Sequence, residues 1–128
     1  MIRRYLSIAD VIAIHDMQIE NFGGADGLRD PGQLDAAIFR PQSGYYGTLL
    51  EEAAALWESL SQNHPFMDGN KRTAYVSAFV FLDINGHQII ASDHEVELFL
   101  ANCYEGHGLK YETVLIWLKA NTKGGHND

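Results

Sequence analysis

His64-Pro65-Phe66-Met67-Asp68-Gly69-Asn70-Lys71-Arg72 is the stretch on which the reading of this chain turns. Pro65 disfavours helix at His64, so a helix running up to this stretch has to stop just before it. Beyond it, Ala74, Val76, Ala78, Phe79, Val80, Phe81 and Leu82 make the segment from 70 to about 84 apolar on most sides. All-round apolarity marks a central, buried helix. The stretch is therefore a tight loop between two helices, and the fold class it predicts is all-α: a compact helical bundle with a central buried helix behind the loop.

Upstream, Leu49, Ala53, Leu56, Trp57 and Leu60 recur at helical spacing and predict a helix over about 49–62. Further back, Ser7 with Asp10 reads as a capping pair for a helix placing Val11, Ile12, His15 and Ile19 on one face, ended by Gly23-Gly24. Asp30-Pro31-Gly32-Gln33 puts a capping side chain, Pro at the first helical position and Gln at the third ahead of a short helix to about Arg40. Residues 41–47 read as an exposed loop or small hairpin along which a peptide substrate could lie, with Tyr45 and Tyr46 equally readable as core aromatics. Downstream, Asn85-Gly86 is a stop, residues 87–91 suit an extended piece, and Ser92 with Glu95 forms a capping box for a helix closed by Glu105-Gly106. A last helix runs from 111 to about 121, and the tail from about 122 is expected to fray.

The 128 residues suit one domain over 1–128, long enough to bury about two-thirds of the surface the unfolded chain exposes, so no disulfide or structural metal is required. With 46% apolar and 20% charged residues it has the composition of an ordinary soluble globule, not of a disordered chain. The net charge of −8 and the scatter of the nine basic residues argue against nucleic acid as a direct ligand. Lys71-Arg72, inside the loop, suits a few phosphates in a pocket instead. The single cysteine, Cys103, excludes an internal disulfide and falls on an apolar helical face, where it packs as core. No signal peptide is apparent, and the longest apolar stretch, 76–82, is too short to span a bilayer, so a cytoplasmic protein without membrane contact is expected.

A loop that opens a buried helix can bind an anion. The unpaired N–H groups and positive dipole end of the helix favour phosphate oxygens, and Gly69 lets the backbone approach closely. Asn70 adds an amide, and Lys71 and Arg72 add charge. Asp68 is a hard oxygen ligand suited to Mg²⁺, which takes one or two carboxylates plus substrate phosphates. His64 can accept a proton from an attacking hydroxyl, since an imidazole titrates near neutrality. Phe66 is expected to turn inward and pin the loop to the core.

The nine residues match in full the signature H-P-F-x-[D/E]-G-N-[G/K]-R, and the chain resembles the Fic/Doc proteins. That resemblance implies an all-helical fold and transfer of part of a nucleotide triphosphate, with ATP as substrate and Mg²⁺ as cofactor, onto a protein hydroxyl. It makes His64 the base, Asp68 the metal ligand, Gly69, Asn70 and Lys71 the anion hole, and Arg72 a phosphate ligand. The short chain, Gly27-Leu28-Arg29-Asp30, Ala37, Arg40-Pro41-Gln42 and Lys71 resemble the death-on-curing branch, the toxins of Phd–Doc toxin–antitoxin pairs. The branch implies a kinase that moves the γ-phosphate onto a translation elongation factor. Pro65 and Gly69 follow the pattern of AMP-transferring relatives, so AMP transfer to Ser, Thr or Tyr is the alternative. A non-catalytic, antitoxin-binding module is an alternative of another class.

The inhibitory pattern of many Fic enzymes, [S/T]-x-x-x-E-[G/N], is approached only by Thr48-Leu49-Leu50-Glu51-Glu52-Ala53, which ends in the wrong residue. An external, Phd-like antitoxin with a segment that folds onto the toxin is therefore expected. His15-Asp16 reads as a pair of helix-surface residues, and His87, His94, His107 and His126 show no metal-ligand spacing.

Overall fold

In the computed structural model, which describes residues 2–124, six α-helices follow one another: α1 (Ile8–Phe22), α2 (Pro31–Phe39), α3 (Leu49–Asn63), α4 (Asn70–Ile84), α5 (Asp93–Glu105) and α6 (Tyr111–Asn121). Two three-residue strands complete the order, β1 (His87–Ile89) before α5 and β2 (Thr122–Gly124) after α6. No helix among the described residues is long and apolar enough to cross a membrane.

The helices start where the caps place them. Ser7 and Ser92 each accept from the backbone three residues on and receive the reciprocal carboxylate, Asp10 for α1 and Glu95 for α5. Asp30 accepts from Gln33 N at 3.2 Å with Pro31 opening α2, and Thr48 accepts from Glu51 N at 3.2 Å to open α3. The Glu95 carboxyl is held below its usual range by the Ser92 backbone and hydroxyl.

The α3/α4 pair is the centre of the molecule. Alanines 53, 54 and 55 let α3 be approached closely, and α2, α4 and α6 all pack on it. As a result α3 is the more completely enclosed of the pair, while α4 buries Ala74, Ala78, Phe81 and Leu82 along one face. Trp57 of α3 sits at the hub, edge-on to Tyr75, Phe99 and Trp117 at centroid distances of 5.2, 5.9 and 5.7 Å. Burial pushes the Tyr75 phenol up to about 12. Cys103 is buried, as its helical face predicts, and that burial raises its thiol.

The segment that approaches the inhibitory pattern is structural. Thr48 is the N-cap, and Glu52, 6% exposed, holds Arg3 and accepts from the Tyr5 hydroxyl at 2.9 Å, fastening the irregular segment before α1 to α3.

Two details differ from expectation. Residues 40–42 form a 3-10 turn and no hairpin follows; Arg40 donates to the Tyr46 hydroxyl at 2.7 Å, which half-buries Tyr46 and leaves Tyr45 84% exposed. The tail does not fray directly after 121: β2 pairs antiparallel with β1, Gly124 opposite His87. A Cβ at Gly124 would lie 2.5 Å from the His87 ring, so only glycine fits that register. Residues 125–128, with the rest of the tail and His126, lie outside the described residues.

Ser92→Ala, which removes one half of the α5 capping box, is expected to cost about 1 kcal/mol of stability in urea unfolding. A change within error would show that α5 is held by packing alone.

Candidate active site

Helix α3 ends at Asn63, and His64 turns into the left-handed region with φ 47° and ψ 56°. It is the one non-glycine residue with positive φ among the described residues. Histidine is among the side chains that tolerate this conformation best, yet it remains strained for any residue with a Cβ. His64 is exposed on the wall of the cleft described below.

A strap from Gly24 to Asp30 sews the loop down, residue by residue. Arg29 Nε donates to the His64 carbonyl at 2.6 Å and Arg29 Nη2 to the Asn63 carbonyl at 2.9 Å. The Pro65 carbonyl accepts from the backbone of Arg29 at 2.8 Å and of Asp30 at 3.0 Å, and Met67 N donates to the Gly27 carbonyl at 3.0 Å. Leu28 and Phe66 thus face each other in an isolated antiparallel bridge.

From beneath, α1 closes the loop. Phe66 is 2% exposed, as expected, and stacks on the His15 ring with centroids 3.8 Å apart and planes 5° off parallel. His15 Nε2 lies 2.8 Å from the Asp68 carbonyl, and because a carbonyl only accepts, the proton is on Nε2. The reading of His15-Asp16 as surface residues is therefore wrong for His15, which is 1% exposed; Asp16 is exposed. The clue was available: His15 shares a helical face with Val11 and Ile19.

The Asn70 side chain has a task within the loop as well. Its Oδ1 accepts from Phe66 N and its Nδ2 donates to the Phe66 carbonyl, both at 3.0 Å. One Nδ2 hydrogen is committed to the loop; the second Nδ2 hydrogen and the backbone N–H are what Asn70 can offer a phosphate.

The N-terminus of α4 is left open. Its N-cap, Gly69, has φ 74° and no side chain to cap with. The Asp68 carboxylate does not take that place: it accepts from Gly69 N at 3.2 Å and Ala25 N at 3.1 Å. The first N–H groups of α4, on Asn70, Lys71 and Arg72, have no partner within the helix and point outward with the positive end of its dipole. The two cations stand on either side: Lys71 Nζ lies 4.4 Å above the Tyr104 ring, and Arg72 Cζ lies 3.8 Å above the Phe22 ring. Such contacts hold a cation in place without neutralising it.

His64 and the run from Met67 to Arg72 line one cleft of about 700 Å³, so the structure brings every expected site residue together. Its far wall comes from α5: Glu97, Leu100, Ala101 and Tyr104. None of these was expected, because nothing in the sequence of α5 says which of its faces meets a loop some thirty residues earlier. Tyr104 is fixed by a hydrogen bond with the Ser61 hydroxyl, and burial raises its phenol, keeping it a neutral, protonated wall. Arg29 was likewise read only as part of an upstream pattern.

The donor set suits Mg²⁺ bound with phosphates. Each oxygen of the exposed Asp68 carboxylate accepts one backbone N–H and keeps lone-pair capacity for an ion.

Asn70→Ala leaves the Phe66 N–H and carbonyl without partners and is expected to destabilise the protein by about 1–3 kcal/mol in chemical unfolding. Unchanged stability would mean that the Asn70 amide is free for ligand.

The sequence profile of the Fic/DOC family matches residues 5–82, which include the strap, the signature loop and most of α4. The chain is 46% identical over 98 residues to a protein of Mycolicibacterium smegmatis named Toxin Doc, covering 73% of this chain and 72% of that one. It is 37% identical over 99 residues to a protein of Escherichia phage P1 named Protein kinase doc, covering 74% and 79%. By this profile match and these similarities the chain belongs to the Fic/DOC family, in its death-on-curing branch.

Proposed function

We propose that this protein is the toxin of a toxin–antitoxin pair and that it moves the γ-phosphate of ATP onto a hydroxyl of a target protein. The observation that carries the reading is the cleft in which a histidine outside any helix faces an uncapped helix N-terminus flanked by Lys71 and Arg72. The name of the phage P1 relative, Protein kinase doc, supports phosphate over AMP as the group transferred.

In this reading the phosphates lie against the backbone N–H groups that begin α4, with Lys71 and Arg72 balancing their charge. Asp68 holds Mg²⁺, which supplies neutralisation of phosphate charge. The His64 imidazole takes the proton of the target hydroxyl as its oxygen bonds to the γ-phosphorus. The bond from that phosphorus to the bridging oxygen breaks, ADP leaves, and the proton stays on His64 until solvent removes it. Tyr104, Leu100 and Ala101 give the cleft a partly apolar wall on which the remainder of the nucleotide can rest.

The target is a translation factor, read from the resemblance to the death-on-curing branch, and the site of action is the cytoplasm. Control is external: a Phd-like antitoxin segment covers the cleft, since the one stretch of this chain near the inhibitory pattern is committed to capping α3 and anchoring Arg3 and Tyr5.

Incubation with a target extract and ATP labelled at either the α- or the γ-phosphate tests the transfer. Protein label from γ-ATP alone is expected; label retained from α-ATP would replace phosphate transfer by AMP transfer. His64→Ala should slow transfer by roughly 10²–10⁴-fold. Undiminished toxicity of that variant would make the protein a binding module.

A further inference from the structure

Arg29 does not line the cleft, yet its side chain makes the one hydrogen bond that reaches His64 among the described residues. The strap's other bonds hold Asn63, Pro65, Met67 and Asp68. What makes this contact matter is the chemistry of the helix end. The Schellman seal of a helix that finishes on a left-handed residue needs the N–H of the residue after it, and here that residue is Pro65, which has none. The carbonyls at the end of α3 are then orphaned at the negative end of its dipole, while His64 stays in a conformation that disfavours a Cβ.

The guanidinium answers both needs from one edge, with Nε on the His64 carbonyl at 2.6 Å and Nη2 on the Asn63 carbonyl at 2.9 Å. It is itself held at a fixed offset, because Arg29 N donates to the Pro65 carbonyl at 2.8 Å. Arg29 therefore grips the chain on both sides of the His64–Pro65 peptide bond. A lysine would carry the charge but not the planar fork that spans two successive carbonyls.

We propose that Arg29 is a positioning residue for His64: it holds the backbone of the base in the left-handed conformation that presents the imidazole to the cleft, without touching nucleotide or target. The inference rests on His64 being the base. A misplacement of about 1 Å at a reacting group costs on the order of 10²-fold in rate, which sets the size of the expected effect.

The test compares Arg29→Lys and Arg29→Ala with the native protein for melting temperature, nucleotide affinity, kcat and the NMR signals of the His64 imidazole. The expected result is a kcat lowered on the order of 10²-fold in Arg29→Ala and by more than about tenfold in Arg29→Lys, with nucleotide affinity held within about threefold. Guanidinium ion at millimolar, non-denaturing concentration should restore part of the Arg29→Ala rate, and sodium chloride at equal ionic strength should not. A kcat of Arg29→Lys within about threefold of native, or a fall matched by an equal loss of nucleotide affinity, overturns the proposal. If Arg29→Ala fails to fold, Arg29→Lys decides alone. The NMR readout separates this inference from the reaction: should the native protein transfer no phosphate, displaced His64 signals in Arg29→Lys still support positioning, and unchanged ones overturn it.

Discussion

A left-handed histidine followed by a proline is the constraint on which the rest of the site depends. Pro65 ends α3 and removes the amide that a Schellman seal would use, so the end of α3 does not hold the loop by itself. What holds it is the strap at 24–30 from one side, His15 of α1 from below, and Asn70 from within. With so many bonds made to the protein, the loop meets its ligand already shaped, and little conformational entropy is left to lose on binding. That is the condition under which backbone N–H groups are most effective as a phosphate cradle.

The same bonds assign the signature residues to two groups. Phe66 and Asn70 build the loop, Phe66 by burial and Asn70 through its side-chain amide. His64, Asp68, Lys71 and Arg72 keep exposed functional groups for chemistry. Gly69 belongs to both, since its left-handed φ turns the chain into α4 and its missing side chain leaves the first N–H groups uncovered. A Cβ there would also come within 3.2 Å of the Ile19 side chain, so the space beneath the turn is already filled.

Much of this was legible in the sequence because it is local. Helix ends follow from Ser7, Asp30, Pro65 and Ser92, whose capping or breaking acts within a few residues, and the loop with its cations is contiguous. What escaped reading is what depends on long-range pairing. The grip of Arg29 on His64 crosses 35 positions and the bond from His15 to Asp68 crosses 53, and no residue type announces such partners. The α5 wall, with Glu97 and Tyr104, is of the same kind. The tail erred for a related reason: Thr122–Gly124 has no strand pattern of its own and is ordered only by β1.

If the strap shapes the loop before any nucleotide arrives, the amides that join them must be protected in the free protein. Amide hydrogen exchange of Arg29, Asp30 and Met67, followed by NMR without ligand, measures this directly. Protection close to that of the α3 and α4 core amides is the expected result. Exchange at the rate of an exposed loop, becoming slow only when nucleotide is added, would show that the ligand and not the strap sets the geometry of His64.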